Sequence, residues 1–186
     1  DIKRCICCLY CIESMQNNAY IGDHGYCAVN PFVGSEHYEL KKDGNGRKIL
    51  VVGAGPAGLT AAELLAKRGF KVTVAEKSDK LGGQVDLAVK PPHKDKLYWC
   101  IEDLQTSCEK LGVEFLLNKN VDKAFVEAFE PYAVICATGG NAIRPQCIEG
   151  VNRENVYTTT EILNGDVVLE NKKIALIGSG MTGLET

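Results

Sequence analysis

The chain has 186 residues, and its 45% hydrophobic and 24% charged residues are values typical of a globular protein. Its 21 basic and 24 acidic residues give a formal net charge of −3, so the charge does not favour a nucleic-acid partner. No run of about 18 apolar residues is present, so the sequence predicts no membrane-spanning helix.

Nine cysteines are present, and four of them fall within seven residues near the start of the chain. An odd number of clustered cysteines does not suit a disulfide framework, so we expect reduced thiols and a cytoplasmic location. Cys5, Cys8 and Cys11 are separated by two residues each, which lets a short loop point three sulfurs at one centre. A fourth sulfur can return from Cys27 after a 15-residue excursion, whose composition predicts a loop over 12–26.

Four thiolates without a histidine are the ligands of either a [4Fe–4S] cluster or a structural zinc ion. Three close cysteines and one distant cysteine favour the cluster, because zinc ribbons usually pair their cysteines two and two. Cys7 lies between the predicted ligands and either fills space or replaces Cys8. The remaining cysteines stand among apolar neighbours and are interpreted as packing residues: Cys100, Cys108, Cys136 and Cys147.

The clearest motif is a glycine-rich turn between a predicted strand over 48–52 and a predicted helix over 59–66. Its first glycine permits a tight strand-to-helix turn, its second lets the backbone approach a pyrophosphate, and its third lets the helix pack closely on the strand. The phosphates would lie at the helix N-terminus, where free N–H groups favour anions. The residues of this turn that we expect to contact a dinucleotide are Gly53, Gly55, Pro56, Ala57 and Gly58.

A second predicted strand, over 71–75, ends in Glu76, which follows the third glycine by 18 residues. A carboxylate at this place can accept hydrogen bonds from the ribose hydroxyls but would repel a 2′-phosphate. The sequence therefore predicts an ADP moiety with a free ribose, as in FAD, ADP or NAD. Further candidate contacts adjoin this acid or lie on a glycine-containing turn just beyond it: Lys77, Gly82, Gly83 and Gln84.

Helices and strands alternate along the next part of the chain. The pattern predicts a helix over 94–111, a strand over 113–117, a short helix over 122–129 and a strand over 132–136. Strands joined by crossover helices form a parallel sheet. The predicted fold class is therefore α/β, a Rossmann-like three-layer fold that is truncated and that follows a cysteine-rich, cluster-binding loop segment.

A second glycine motif follows a predicted strand over 173–177. It repeats the first motif 125 residues later, with Gly178, Gly180 and Gly183. Two such motifs indicate two nucleotide domains, one nested within the other. We divide the chain into a cysteine-rich segment over 1–46, the first part of an FAD- or ADP-binding domain over 47–150, and a crossover with the start of an NAD(P)-binding domain over 151–186.

The two ends of the sequence indicate a piece of a longer protein. The chain starts at Asp1 rather than at a methionine, and it stops at Thr186 within a predicted helix. The acid or arginine that separates NADH from NADPH binding would lie beyond this point. A sheet without its last strand also leaves an exposed edge, which favours self-association.

The order of these motifs resembles the C-terminal part of the iron–sulfur flavoprotein family of 2,4-dienoyl-CoA reductase and trimethylamine dehydrogenase. The resemblance covers essentially all 186 residues. It is carried by the three close cysteines, Cys-Ala-Val-Asn-Pro, Val-Val-Gly-Ala-Gly-Pro-Ala-Gly-Leu, Leu-Gly-Gly-Gln, Ala-Thr-Gly-Gly and the second glycine motif, in that order. It implies that an FMN barrel with the substrate site precedes this chain, beside a [4Fe–4S] cluster and an FAD- or ADP-binding domain.

The resemblance also implies roles for single residues. The cluster ligands would be Cys5, Cys8, Cys11 and Cys27. The backbone of Val121 would face the adenine, and Thr138 and Gly139 would border the pyrophosphate.

The implied activity is an electron relay in which NAD(P)H reduces FAD, single electrons cross the cluster to FMN, and an activated double bond is reduced. With ADP in the site, electrons would instead run from an oxidised amine to an external carrier. No residue of this chain is a credible substrate acid, base or nucleophile, so we expect no turnover from this piece alone.

Two other functions stay open on the sequence. An electron-input module of the glutamate-synthase small-subunit type also joins cysteine clusters to two nucleotide motifs, although it normally carries cysteines for two centres. A zinc-stapled module that binds a nucleotide without catalysis is the non-enzyme alternative. The iron and zinc contents of the protein separate these functions.

Overall fold

A parallel sheet forms the centre of the computed structural model, which describes residues 2–186. Its strands stand in the order β3-β2-β1-β4, and every neighbouring pair is parallel. The strands are β1 (Lys48–Val52), β2 (Lys71–Ala75), β3 (Glu114–Leu116) and β4 (Ala133–Cys136). This order is that of one half of a Rossmann fold, so the predicted α/β class is confirmed.

The helices connect and flank these strands. They are α1 (Tyr10–Asn18), α2 (Pro56–Lys67), α3 (Val85–Ala88), α4 (Trp99–Lys110), α5 (Lys123–Phe129), α6 (Thr159–Asn164) and α7 (Met181–Glu185). The helix predicted over 94–111 begins with a 3₁₀ turn at Asp95–Tyr98 and becomes α-helical at Trp99. Among residues 2–186, no helix combines the length and the apolar composition that a membrane crossing requires.

The core lies between the sheet and the helices α2 and α4. Ile49 and Val51 of β1 are at most 2% exposed. Leu59 of α2 and Ile101 and Cys108 of α4 are fully buried in the same cluster. Because neighbouring strands and packed helices cover β1, its sequence is a continuous run of apolar residues and does not alternate between apolar and polar ones.

The prediction of a loop over 12–26 is wrong for its first part, because α1 continues to Asn18. Residues 10–16 are ordinary helix formers, and the asparagine- and glycine-containing composition that favours a loop begins only at Asn17. The chain then turns through a 3₁₀ helix at Ala19–Ile21 before it returns to Cys27. The cysteine-rich segment is thus a loop, a helix and a return segment.

The strand predicted over 173–177 does not form. In the described part of the chain this segment has no strand beside it, and residues Ile174 and Ile177 are 62% and 74% exposed. A strand needs a neighbour with which to exchange backbone hydrogen bonds, and an apolar sequence alone does not supply one.

Candidate functional site

At two positions of the turn after β1, the backbone leaves room only for glycine. Gly53 has a φ of +104°, and a Cβ on it would lie 2.3 Å from the Ala137 carbonyl oxygen. A Cβ on Gly58 would lie 1.9 Å from the Gly53 carbonyl oxygen. Both distances are far below van der Waals contact, so a side chain at either glycine would have to move the turn.

Helix α2 begins at this turn with an uncapped N-terminus. Gly55 is the N-cap residue and has no side chain that could accept from the first-turn N–H groups. Pro56 occupies the first turn, where its missing N–H costs nothing. The following N–H groups and the helix dipole favour a negatively charged group, so the local geometry fits a phosphate.

A second backbone stretch lies against the glycine turn. The Gly82 N–H donates to the Ala54 carbonyl at 2.9 Å. A Cβ on Gly83 would lie 3.2 Å from the Cα of Gly55. The predicted close approach of these two glycine-containing segments is therefore present in the fold.

The segment after β4 borders the same place. The Cα of Thr138 would lie 3.3 Å from a Cβ on Gly53. Gln84 Nε2 donates to the Gly140 carbonyl at 2.6 Å, with Gly139 directly before it in the chain. Three of the predicted segments thus meet at the carboxyl edge of the sheet.

Glu76 lies at the end of β2 and is only 7% exposed. One carboxylate oxygen accepts from the Ala54 N–H at 2.7 Å, and the other accepts from the N–H and the hydroxyl of Ser78, both at 2.9 Å. Burial raises the pKa of Glu76, but these hydrogen bonds lower it more, so the pKa lies below its ordinary value. The carboxylate therefore ties β2 to the glycine turn and keeps its charge.

The segment that leads to Val121 starts beside Glu76. The Glu76 N–H donates to the Leu116 carbonyl at 2.9 Å, and the Lys119 N–H donates to the Glu76 carbonyl at 2.8 Å. Val121 follows two residues later and is half-buried, whereas Lys77 is exposed. The contacts of Val121 and Lys77 with a nucleotide stay predictions.

Glu76→Gln should lower the free energy of unfolding of the β1–β2 unit by about 1–3 kcal/mol at neutral pH, because hydrogen bonds to a charged acceptor are lost. The folded-state pKa lies below the unfolded value of about 4.3. The stabilisation is therefore complete above the unfolded value and is lost as the pH falls through the folded-state pKa. Hydrogen exchange of the β1 and β2 amides in the full-length protein measures both effects.

The matched control is Glu127→Gln, because the Glu127 side chain on α5 is 67% exposed. Its effect should stay within about 0.5 kcal/mol. Equal amide protection in the two variants at neutral pH would contradict the role given to Glu76.

The predicted metal ligands are free thiols. Cys5, Cys8 and Cys11 are exposed, and Cys27 is half-buried. Within residues 2–186, no group of three or more histidine, cysteine, aspartate or glutamate side chains is close enough to hold a metal ion. The donor chemistry suits an iron–sulfur cluster, but the fold does not gather the four sulfurs, so the cluster stays a prediction.

Ser14 holds the two ends of the cysteine segment together, and sequence reasoning missed it. Its hydroxyl accepts from the Tyr26 N–H at 2.8 Å and lies 3.2 Å from the Cys11 carbonyl oxygen. A Cβ on Gly25 would also lie 3.2 Å from that oxygen. The backbone beside Cys27 therefore packs on the first turn of α1, although a helical serine alone gives no such signal.

Ser14→Ala should speed hydrogen exchange of the Tyr26 amide in the full-length protein by about tenfold or more, because this N–H would lose its partner at a cost of about 1–3 kcal/mol of local stability. Hydrogen exchange of amides 25–27 measures the effect, with Ser35→Ala on the connecting segment as control. Equal exchange rates in the two variants would show that Ser14 does not hold the cysteine segment.

The second glycine motif forms the same kind of turn as the first. Gly178 has a φ of +104°, and Gly180 is the N-cap residue of α7. A Cβ on Gly183 would lie 2.6 Å from the Gly178 carbonyl oxygen. The turn forms without a preceding strand, and its part in nucleotide binding stays a prediction.

Known proteins resemble this chain over most or all of its length. A family model described as pyridine nucleotide-disulphide oxidoreductase matches residues 47–186. NADH oxidase of Thermoanaerobacter brockii is 35% identical over 191 residues, a match that covers 100% of this chain and 29% of that protein.

Two solved structures resemble the fold. One is a 2-naphthoyl-CoA reductase complex, with a TM-score of 0.77 and 36% identity over 88% of this chain and 25% of the other. The other is histamine dehydrogenase from Rhizobium sp. 4-9, with a TM-score of 0.73 and 27% identity over 90% of this chain and 27% of the other.

The chain thus spans between 25% and 29% of the length of these proteins. The family model covers well over half of the chain, and the relatives agree with the family predicted from the sequence. The chain belongs to the pyridine nucleotide-disulphide oxidoreductase family, within the flavoproteins related to 2,4-dienoyl-CoA reductase and trimethylamine dehydrogenase.

Proposed function

We propose that this chain is the electron-input part of a longer flavoprotein oxidoreductase that carries FAD and a [4Fe–4S] cluster. The observation that carries the proposal is the meeting of the glycine turn, Glu76, the Gly82–Gln84 stretch and the Thr138–Gly139 segment at one sheet edge. Such an edge is where α/β sheets bind nucleotides. A bound FAD would supply hydride and single-electron chemistry, and the cluster would supply single-electron transfer.

The chain's own residues would hold the nucleotide and exclude a phosphorylated ribose. The N-terminus of α2 would receive the pyrophosphate, and Glu76 would accept from one ribose hydroxyl with the lone pair that remains on Oε2. FAD is the nucleotide we assign to this site, with ADP as the alternative. The Gly178 motif would begin the NAD(P)H site.

Four thiolates, from Cys5, Cys8, Cys11 and Cys27, would hold the cluster. The packing of the Tyr26 backbone on α1 supports this assignment, because it brings the return segment to the helix that carries Cys11. Nine free cysteines also fit a reducing compartment, so we place the protein in the cytoplasm.

The substrate would be bound outside this chain, in a preceding barrel that carries FMN. The length of the relatives leaves room for such a domain. Electrons from NAD(P)H would reduce an activated double bond. The resemblance to a 2-naphthoyl-CoA reductase supports reduction as the activity. The resemblance to histamine dehydrogenase supports amine oxidation as the second candidate. The isolated piece would turn over neither substrate, and it would self-associate through the outer edge of β4.

Anaerobic reduction of the full-length protein tests the proposal. NADH or NADPH should bleach the flavin absorption, and an added enoyl thioester should restore it. If an amine reduces the protein and NAD(P)H does not, amine oxidation is the activity. No reduction by either donor would contradict the proposed function.

A further inference from the structure

Tyr98 contacts the glycine-containing turn that lies at the carboxyl edge of the sheet, the proposed nucleotide edge. Its hydroxyl donates to the Leu81 carbonyl at 2.9 Å. A Cβ on Gly82 would lie 3.2 Å from Cε2 of the Tyr98 ring, so the ring packs against Gly82. Burial raises the pKa of Tyr98, so the hydroxyl keeps its proton and donates at neutral pH. One side chain therefore holds two adjacent residues of the turn.

Both partners of this contact are anchored in the core. Tyr98 is the last residue of the 3₁₀ turn at Asp95–Tyr98 and directly precedes α4. Its ring packs on the apolar cluster that contains Leu81 and the fully buried Ile101 of α4. Leu81 is only 7% exposed. Because the core fixes both residues, the turn cannot move relative to Tyr98 without loosening packed side chains.

The same turn contacts the first glycine motif. The Gly82 N–H donates to the Ala54 carbonyl at 2.9 Å, and a Cβ on Gly83 would lie 3.2 Å from the Cα of Gly55. Gly55 is the N-cap residue of α2, whose first-turn N–H groups favour a phosphate. A continuous set of contacts thus runs from Tyr98 through the turn to the N-terminus of α2.

We propose that Tyr98 is a positioning residue for nucleotide binding: it sets how closely the Gly82–Gly83 backbone approaches the N-terminus of α2 and thereby strengthens the binding of the second phosphate of the nucleotide. This inference rests on the function proposed above. One phosphate can bind to the α2 N–H groups alone, whereas a second must also fit against the neighbouring backbone. A backbone that is already held in place binds it without an ordering cost.

The test uses the full-length protein freed of bound nucleotide, with Tyr98→Leu, Tyr98→Phe and a control, Tyr20→Leu. Tyr20 lies in the 3₁₀ helix at Ala19–Ile21 and is 93% exposed. Calorimetric titration with ADP and with AMP measures the two affinities. Tyr98→Leu removes the hydroxyl and the ring, so it should weaken ADP binding by about tenfold and AMP binding by less than about twofold. Tyr98→Phe keeps the ring and should weaken ADP binding by about threefold.

Hydrogen exchange of the Gly82 amide reports on the turn itself, because this N–H donates to Ala54. We expect exchange to be faster by about tenfold in Tyr98→Leu and by about threefold in Tyr98→Phe, and to be unchanged in Tyr20→Leu. If Tyr98→Leu is not obtained as a folded protein, Tyr98→Phe alone decides the result.

Wild-type ADP affinity in the measured Tyr98 variant overturns the inference and leaves the proposed function intact. An equal loss of ADP and AMP affinity also overturns it, because Tyr98 would then support only the fold as a whole. A wild-type protein that binds neither ADP nor FAD overturns both proposals.

Discussion

Gly58→Val should yield a full-length protein that is purified without FAD. The glycine has no room for a Cβ, which would lie 1.9 Å from the Gly53 carbonyl oxygen, and the clash is with backbone rather than with a flexible side chain. To fit valine, α2 must move away from β1, and its N-terminus then leaves the place where the phosphates bind. We expect the affinity for FAD to fall by at least about a hundredfold, or about 2.7 kcal/mol.

A valine can also be introduced away from the nucleotide edge. Ala128 lies on α5 and is exposed. Ala128→Val should therefore keep FAD and the wild-type protection of the β1 amides. FAD content measured by flavin absorption, together with hydrogen exchange of β1, gives the result. Wild-type FAD content in Gly58→Val would mean that the glycine turn is not the nucleotide site.

Alanine at any one of the four predicted ligands should remove the cluster. Iron should fall from about four per chain to below one in each of these variants, because a [4Fe–4S] cluster needs four protein ligands. FAD should stay bound, since the glycine turn lies on the sheet and not on the cysteine loop. The four variants are Cys5→Ala, Cys8→Ala, Cys11→Ala and Cys27→Ala.

Two further cysteines serve as controls for that series. Cys147→Ala, at an exposed position far along the chain from the loop, should keep its iron. Cys7→Ala should keep it as well and tests the one alternative within the loop. If Cys7→Ala loses iron while Cys8→Ala retains it, then Cys7 is the ligand and the assignment of Cys8 is wrong.

The nucleotide edge could be predicted because its signals are local in sequence. The spacing of Gly53, Gly55 and Gly58 between a strand and a helix predicts the geometry of the turn, and Glu76 directly follows the next strand. The parallel order of the strands then brings their carboxyl ends together without further information.

The features that the sequence did not predict correctly depend on contacts with other parts of the chain. The residues 173–177 carry the composition of a strand, but pairing depends on a neighbour that composition does not reveal. Ser14, which joins two parts of the cysteine segment, has no local pattern to mark it, since its partner lies 12 residues away.

The contact between Arg4 and Asp103 could not be predicted from the sequence either. The backbone N–H and Nε of Arg4 donate to the Asp103 carboxylate at 2.8 and 2.7 Å, but the two residues are 99 positions apart and neither belongs to a motif. The pair is brought together only because α4 packs on α2 beside the start of the chain. Contacts of this kind follow from the assembled fold rather than from any one segment.

The central claim is that four cysteines hold an iron–sulfur cluster next to a nucleotide-binding sheet. Anaerobic quantitation of iron, acid-labile sulfide, zinc and flavin in the full-length protein tests it most directly. We predict about four iron and four sulfide atoms per chain, together with bound FAD. About one zinc per chain, with no sulfide, would contradict the claim and identify a zinc-stapled nucleotide-binding module instead.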